Sequence, residues 1–230
     1  MLIGILETGL VPDVLRVRHG AYPDMFEKLL AGRGFDFRRW CVVDMEFPDT
    51  VQEADGWLIT GSRHGAYDDL PFIKPLEAFI REAYAAHVPM VGICFGHQII
   101  AQALGGKVEK FSGGWAVGRQ EYTVNGRPLA LNAWHQDQVT ELPDDATVIG
   151  SGPSCEYAAL AYGDRALSVQ PHPEFDAGFI DGLIRERGKG IVPDPLLEDA
   201  SARLDAPTDN SAMAEMISAF FLSPRKVPHV

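Results

Sequence analysis

The stretch at residues 89–104, Pro89-Met-Val-Gly-Ile-Cys-Phe-Gly-His-Gln-Ile-Ile-Ala-Gln-Ala-Leu104, constrains the fold more than any other. Residues 90–93 read as a short buried strand, and a helix is predicted to begin near His97. Between them lies Gly92-Ile93-Cys94-Phe95-Gly96, a G-x-C-x-G form of the strand–turn–helix elbow that carries a nucleophile. A reactive side chain raised on so sharp a turn needs neighbours without Cβ atoms, because the turn is strained and closely packed. The turn also aims the first amides of the helix at the reaction centre, where they stabilise a thiolate or an oxyanion. Most free cysteines are small buried hydrophobes. The two flanking glycines set Cys94 apart and make it the candidate nucleophile.

The rest of the chain supplies a sheet for such an elbow. Residues 2–6 form a near-continuous apolar run, the pattern of a strand covered on both faces. Residues 23–30 place Met25, Phe26, Leu29 and Leu30 at helical spacing, and Gly32 and Gly34 stop the helix. Residues 35–43 read as the next strand, with Cys41 as core. Residues 56–61 read as another strand, and residues 75–86 as a helix leading into the strand before Cys94. This alternation predicts an α/β fold, with a doubly wound, mostly parallel central sheet flanked by helices. Ligands sit at the carboxyl ends of such strands, where both Gly61 and Cys94 fall. From residue 107 the pattern shifts to short β-like stretches at 108–111, 117–124, 128–134, 147–150, 157–162 and 166–170, which predict a smaller antiparallel portion. A helix over 175–187, a loop over 188–195 and helical segments at 196–204 and 211–221 close the chain. No linker divides it. A single domain is expected over 1–222, with 223–230 as a loose tail.

With 230 residues, 46% hydrophobic and 23% charged, the chain can bury one sizeable core. Its net charge of −12 argues against nucleic acid or an anionic membrane as partner, since either favours a basic surface. Three cysteines without C-x-x-C spacing point to neither a disulfide framework nor a zinc cluster, and a reduced, cytoplasmic compartment is expected. The first residues carry no basic leader and meet Glu7 at once, so they read as a strand rather than a signal peptide. No apolar run reaches the roughly 18 residues of a membrane span.

A cysteine nucleophile needs a base, and the base needs an orienting group. His172-Pro173-Glu174 supplies both just after a strand, with Pro173 stiffening the segment. A lone His-x-Glu is usually a solvated loop; beside the elbow it becomes a candidate triad of Cys94, His172 and Glu174. An oxyanion needs two backbone donors, each worth about 2.7–4 kcal/mol. The amide of Phe95 directly follows the nucleophile, and Gly61 in Thr60-Gly61-Ser62 is the second candidate. Other motifs fall away. Gly105-Gly-Lys107 lacks the spacing and the following Ser or Thr of a phosphate loop. His97, His135 and His172 with Glu174 lack helical i,i+4 ligand spacing, so no metal is expected. His19, His64 and His87 read as surface or structural residues, and Cys155 as incidental.

Residues 92–108, Thr60-Gly-Ser62 and His172-Pro-Glu174 together resemble the class I glutamine amidotransferase superfamily, most closely its stand-alone, GMP-synthase-like branch. Tyr22-Pro-Asp-Met-Phe26, residues 61–69 and Trp134-His-Gln-Asp-Gln-Val139 support the likeness, which covers roughly residues 1 to 185. The resemblance implies a flavodoxin-like amidotransferase fold and thiolate attack on a γ-glutamyl amide. A glutamyl thioester forms, ammonia or an amine leaves, and water hydrolyses the thioester. It implies Cys94 as nucleophile, His172 as general base and acid, Glu174 as orienting carboxylate, and Gly61 and Phe95 as oxyanion donors. Gln98 would help hold the groups on the glutamyl α-carbon, with His135 and Asp137 as further substrate contacts. Two departures stand out. Gln136 occupies a position where the family usually carries glycine, and Phe95 replaces a common leucine, which changes pocket width more than chemistry. Ser112-Gly-Gly-Trp115 begins like the nucleotide loop of the ATP pyrophosphatases that partner glutaminases, but lacks the Asp-Ser that should follow.

The residues carry no ATP or cofactor motif, and no synthetase domain is expected. The reading is therefore a cysteine-dependent hydrolase of γ-glutamyl amides, glutamine or γ-glutamyl peptides or metabolites with a lean to the latter, acting without a cofactor on a small-molecule γ-glutamyl substrate. Two rivals stand beside it: a glutaminase subunit that passes ammonia to a separate synthetase chain, and a non-catalytic amidotransferase-like binding module.

Overall fold

The computed structural model describes residues 1–224; most of the expected tail, 225–230, lies outside the described residues. Five strands form the parallel half of a nine-stranded sheet: β1 (Leu2–Leu6), β2 (Asp36–Trp40), β3 (Gly56–Ile59), β4 (Met90–Ile93) and β11 (Ala166–Val169), in spatial order β2-β1-β3-β4-β11. Side chains alternate between its faces. Trp57, Ile59 and Met90 pack against Leu76, Phe79 and Ile80 of α3 (Ile73–Ala85) and Ile99 and Ile100 of α4 (Phe95–Ala103). Ile3, Ile5, Leu58, Val91 and Ile93 face Phe26 of α2 (Tyr22–Leu29) and the Met213, Ile217 and Phe221 stripe of α7 (Asn210–Leu222). Covering on both faces is why these strands read as continuous apolar runs. Each large side chain so buried contributes about 1.5–3 kcal/mol.

The antiparallel portion is not a separate layer. Strands β10 (Cys155–Tyr162), β9 (Thr147–Gly152), β6 (Ala116–Val124) and β7 (Arg127–His135) continue the same sheet beyond β11. Among the described residues only β5 (Lys107–Lys110) and β8 (Asp137–Glu141) stand apart, as a two-stranded ribbon.

Several local expectations shift. Residues 35–43 do not run as one strand: β2 ends at Trp40 and a 3-10 turn, Val42–Asp44, follows. Cys41 is thus only half-buried, and its thiol donates to Asp44 Oδ2 at 3.3 Å rather than lying in the core. Helix α1 (Asp13–His19) was not legible, since Leu15 is its one buried residue and no apolar periodicity results. Helix α5 begins at Ala177 rather than 175, because the Asp176 carboxylate caps it by accepting from Phe179 N at 2.9 Å. It runs to Leu183 and widens into a π turn, Ile184–Gly188, before α6 (Asp194–Ala202). Among the described residues, no helix is long and apolar enough to cross a membrane.

Candidate active site

Strand β4 ends at Ile93 and α4 begins at Phe95, so Cys94 alone makes the turn, at φ 52° and ψ −103°. A non-glycine residue held there stores on the order of 1–3 kcal/mol, sustained only by firm surroundings. Cys94 N donates to Val169 O at 2.9 Å, and Cys94 O accepts from Gln98 N at 3.0 Å. The flanking glycines are required by close approach. A Cβ on Gly92 would lie 2.4 Å from Gly96 O, and one on Gly96 would lie 2.3 Å from Ile59 O. The elbow is pressed against the backbone of β3, and the helix starts at Phe95, two residues earlier than the sequence predicts.

The histidine arrives from the adjacent strand. Val169 of β11 pairs with Ile93 of β4, and three residues later the chain reaches His172. His172 N donates to Asn132 O on β7 at 2.8 Å, while Asn132 Nδ2 and Asn210 Nδ2 both donate to Phe175 O, at 3.0 and 3.1 Å. The Phe175 ring lies parallel to the imidazole at 3.9 Å. On the site's other boundary, a Cβ built on Gly61 would lie 2.8 Å from His172 Cε1 and 3.8 Å from Cys94 Cβ. Gly61, His172 and Cys94 therefore converge on one point. His172 Nδ1 meets Glu174 Oε1 at 2.6 Å, a pairing in which the nitrogen donates. Burial disfavours the imidazolium. Negative charge on Glu174 and Cys94, with hydrogen bonds to both, outweighs it and raises the His172 pKa.

Two backbone amides stand beside Cys94 and His172. Thr8, following β1, donates its hydroxyl towards Thr60 O at 2.9 Å and Gly61 O at 3.1 Å, and its amide to Thr60 Oγ1 at 3.0 Å. This buried network fixes the Thr60–Gly61 peptide. Among the described residues, the amides of Gly61 and Phe95 have no acceptor. The Phe95 ring itself is buried in the core.

Cys94, His172, Gln98, His135 and Asp137 all line one cavity of about 420 Å³. The Gln98 amide nitrogen is already engaged, donating to Asp137 O at 2.8 Å and Gln170 Oε1 at 3.1 Å, so it ties α4 to the start of β8. His135 is 4% exposed and neither of its nitrogens is hydrogen-bonded. Burial, with His172 nearby, pushes its pKa down to about 3, leaving it neutral. Burial raises the Asp137 carboxyl, although a hydrogen bond from Tyr67 acts against the shift.

The cavity also draws on residues not singled out for this role: Tyr22, Trp115, Trp134, Phe175 and Arg187. Trp115 and Trp134, both half-buried, stand edge-to-face at 6.4 Å. His64 lines the cavity as well. His97 is structural: it pairs with Ser168 Oγ at 2.8 Å, and burial pushes it down to about 3. His19 packs edge-on against Phe179, and His87 sits in the turn after α3 at φ 56°. Cys155 is buried at the start of β10, where desolvation pushes its thiol up to about 12. Among the described residues, no three of His, Cys, Asp and Glu cluster as metal ligands.

Residues 37–184 match the family described as glutamine amidotransferase class-I. A glutamine amidotransferase-like protein of Schizosaccharomyces pombe is 30% identical over 89% of this chain and 92% of its own length. Gamma-glutamyl peptidase 4 of Arabidopsis thaliana is 30% identical over 81% of each. A glutamine-hydrolyzing GMP synthase subunit from Methanopyrus kandleri is 35% identical over 55% of this chain and 71% of its own. The crystal structure of a glutamine amidotransferase from Thermotoga maritima superposes with a TM-score of 0.73 at 22% identity, over 96% of this chain and 98% of that one. The chain belongs to the class I glutamine amidotransferase family.

Proposed function

We propose that this enzyme hydrolyses γ-glutamyl amides of peptides or metabolites through Cys94, His172 and Glu174. One observation carries the reading. A cysteine at positive φ stands at the mouth of a helix beside a histidine whose Nδ1 is held by a buried carboxylate at 2.6 Å. That is the arrangement of an activated nucleophile with an oriented base.

The Cys94 thiolate attacks the γ-carbonyl carbon, forming a C–S bond while the carbonyl electrons move onto oxygen. The Gly61 and Phe95 amides receive the oxyanion. As the oxyanion collapses, the C–N bond breaks and the His172 imidazolium gives its proton to the departing amine. His172, now neutral, takes a proton from water. The hydroxide displaces sulfur, and glutamate leaves with the thiolate restored. Glu174 keeps the imidazole oriented and favours its charged form throughout. The similarity to a gamma-glutamyl peptidase over most of both chains supports a stand-alone hydrolase. A cavity lined by Tyr67, Trp115 and Trp134 supports a leaving group larger than ammonia. The similarity to the glutamine-hydrolyzing chain of a GMP synthase favours the second reading, in which ammonia passes to a synthetase partner.

The test is glutamate release by the purified protein from glutamine and from a panel of γ-glutamyl peptides, against Cys94→Ala. Cys94-dependent turnover of peptides over glutamine is the expected result. Turnover of glutamine alone would favour the ammonia-donating reading. No turnover, with a thiol of ordinary reactivity towards alkylation, would favour the binding module.

A further inference from the structure

The chain carries a net charge of −12, yet the cavity wall is locally different. Arg63, Lys110 and Arg187 line it, against Asp68 and Asp137. Lys110 already faces Asp137. Arg187 is placed differently. It lies in the π turn that widens the end of α5, a rare backbone form often found at functional sites. Its neighbour Arg185 pairs with Asp181 at 2.8 Å, whereas Arg187 has no carboxylate within ion-pairing distance among the described residues. Arg187 lines the same cavity as Tyr22 and lies close enough to act on that residue's charge state. Burial and the nearby Glu174 and Cys94 charges raise the Tyr22 pKa, so its hydroxyl is a neutral donor and no counter-ion to Arg187. An arginine and a tyrosine lining one cavity can supply donors for an anion, and guanidinium geometry matches a carboxylate. Around them Leu183, Ile191, Trp115 and Trp134 supply apolar and aromatic surface.

We propose that Arg187 and Tyr22 form a carboxylate subsite for the leaving half of the substrate, which makes γ-glutamyl amino acids with an apolar side chain and a free carboxylate the preferred class. The inference rests on the hydrolase reading above and narrows it. Glutamine and γ-glutamyl alkylamides lack the second carboxylate and leave the guanidinium unmatched. The subsite sits beside Phe175, whose ring backs the catalytic imidazole, so a leaving amine anchored there is delivered next to its proton donor.

The experiment compares kcat/KM of the full chain for γ-glutamyl-leucine, its C-terminal amide and glutamine, in the wild type and in Arg187→Gln and Arg187→Lys. The wild type is expected to favour the free acid over its amide by about ten- to hundredfold, the scale of a hydrogen bond to a charged group. In Arg187→Gln the acid-to-glutamine ratio is expected to fall by a similar factor, and Arg187→Lys to restore part of it. Equal turnover of acid and amide by the wild type would overturn the subsite while leaving the hydrolase reading standing. A uniform loss on all three substrates in Arg187→Gln would also overturn it, since Arg187 would then serve the glutamyl half or the fold. No Cys94-dependent release from any of the three would overturn the hydrolase reading itself.

Discussion

Replacing Gly61 by alanine adds one methyl group where the site has no room. The backbone itself is not the obstacle, because Gly61 is not among the positive-φ residues. The added Cβ would lie 2.8 Å from His172 Cε1 and 3.6 Å from its Nδ1. Carbon contacts rest at about 3.5–4.0 Å, so the imidazole must retreat by about 0.7 Å or more. It cannot retreat freely: Phe175 is stacked behind it at 3.9 Å, and Glu174 holds Nδ1 at 2.6 Å. The strain therefore falls on the His172–Cys94 geometry. A misplacement near 1 Å costs about a hundredfold in rate, so kcat of Gly61→Ala is expected to fall by about ten- to hundredfold. Overpacking also costs about 1–3 kcal/mol of stability, too little to unfold an ordinary domain. The assays are steady-state glutamate release on the protein's best γ-glutamyl substrate, the rate of Cys94 alkylation, and thermal unfolding. Full activity in a folded Gly61→Ala protein would refute the argument, because it would mean the imidazole is not clamped.

Two further substitutions probe the supports. Glu174→Gln removes the charge that favours the imidazolium, and kcat is expected to drop by about 10²- to 10⁴-fold. Since the folded His172 pKa lies above its unfolded value, its contribution to stability is present at low pH and is lost as pH rises through the folded value. In Glu174→Gln both that loss and the alkaline fall of kcat/KM are expected at lower pH. An unmoved alkaline limb in a pH–rate profile would count against the pairing. Thr8→Val keeps the shape but deletes the hydroxyl that holds Thr60 O and Gly61 O. A cost of about 1–3 kcal/mol is expected, read as a fall in Tm of roughly 3–10 °C together with slower turnover. An unchanged Tm would show that the network does not hold the Gly61 peptide.

What was legible in the sequence was what short-range geometry dictates. The two glycines around Cys94 follow from backbone contacts within the elbow and against Ile59, and the His172–Glu174 pair spans only two residues. The parallel strands were legible because burial on both faces leaves unbroken apolar runs. Helix α1 and strand β8 were not, for opposite reasons. The first buries almost nothing, and the second, Asp-Gln-Val-Thr-Glu, pairs only with another short polar strand. Thr8, Asn132 and Arg187 escaped because their roles depend on partners far along the chain. No local pattern records that Asn132 braces His172, or that a π turn places Arg187 on the cavity wall. The antiparallel strands were legible one by one, but their pairing into the central sheet depends on register across long separations.

The place of β11 has a consequence for how the molecule comes into being. Residues 166–169 insert between β4 and β10, so a chain emerging in order holds β4 as an open edge until residue 169 has been made. Such an edge is a ready template for wrong partners. The strand that seals it also carries His172 to Cys94. Under the proposed mechanism, closing the edge also brings the base to the thiol, and a chain that stops short of residue 172 would hold its cysteine without that base.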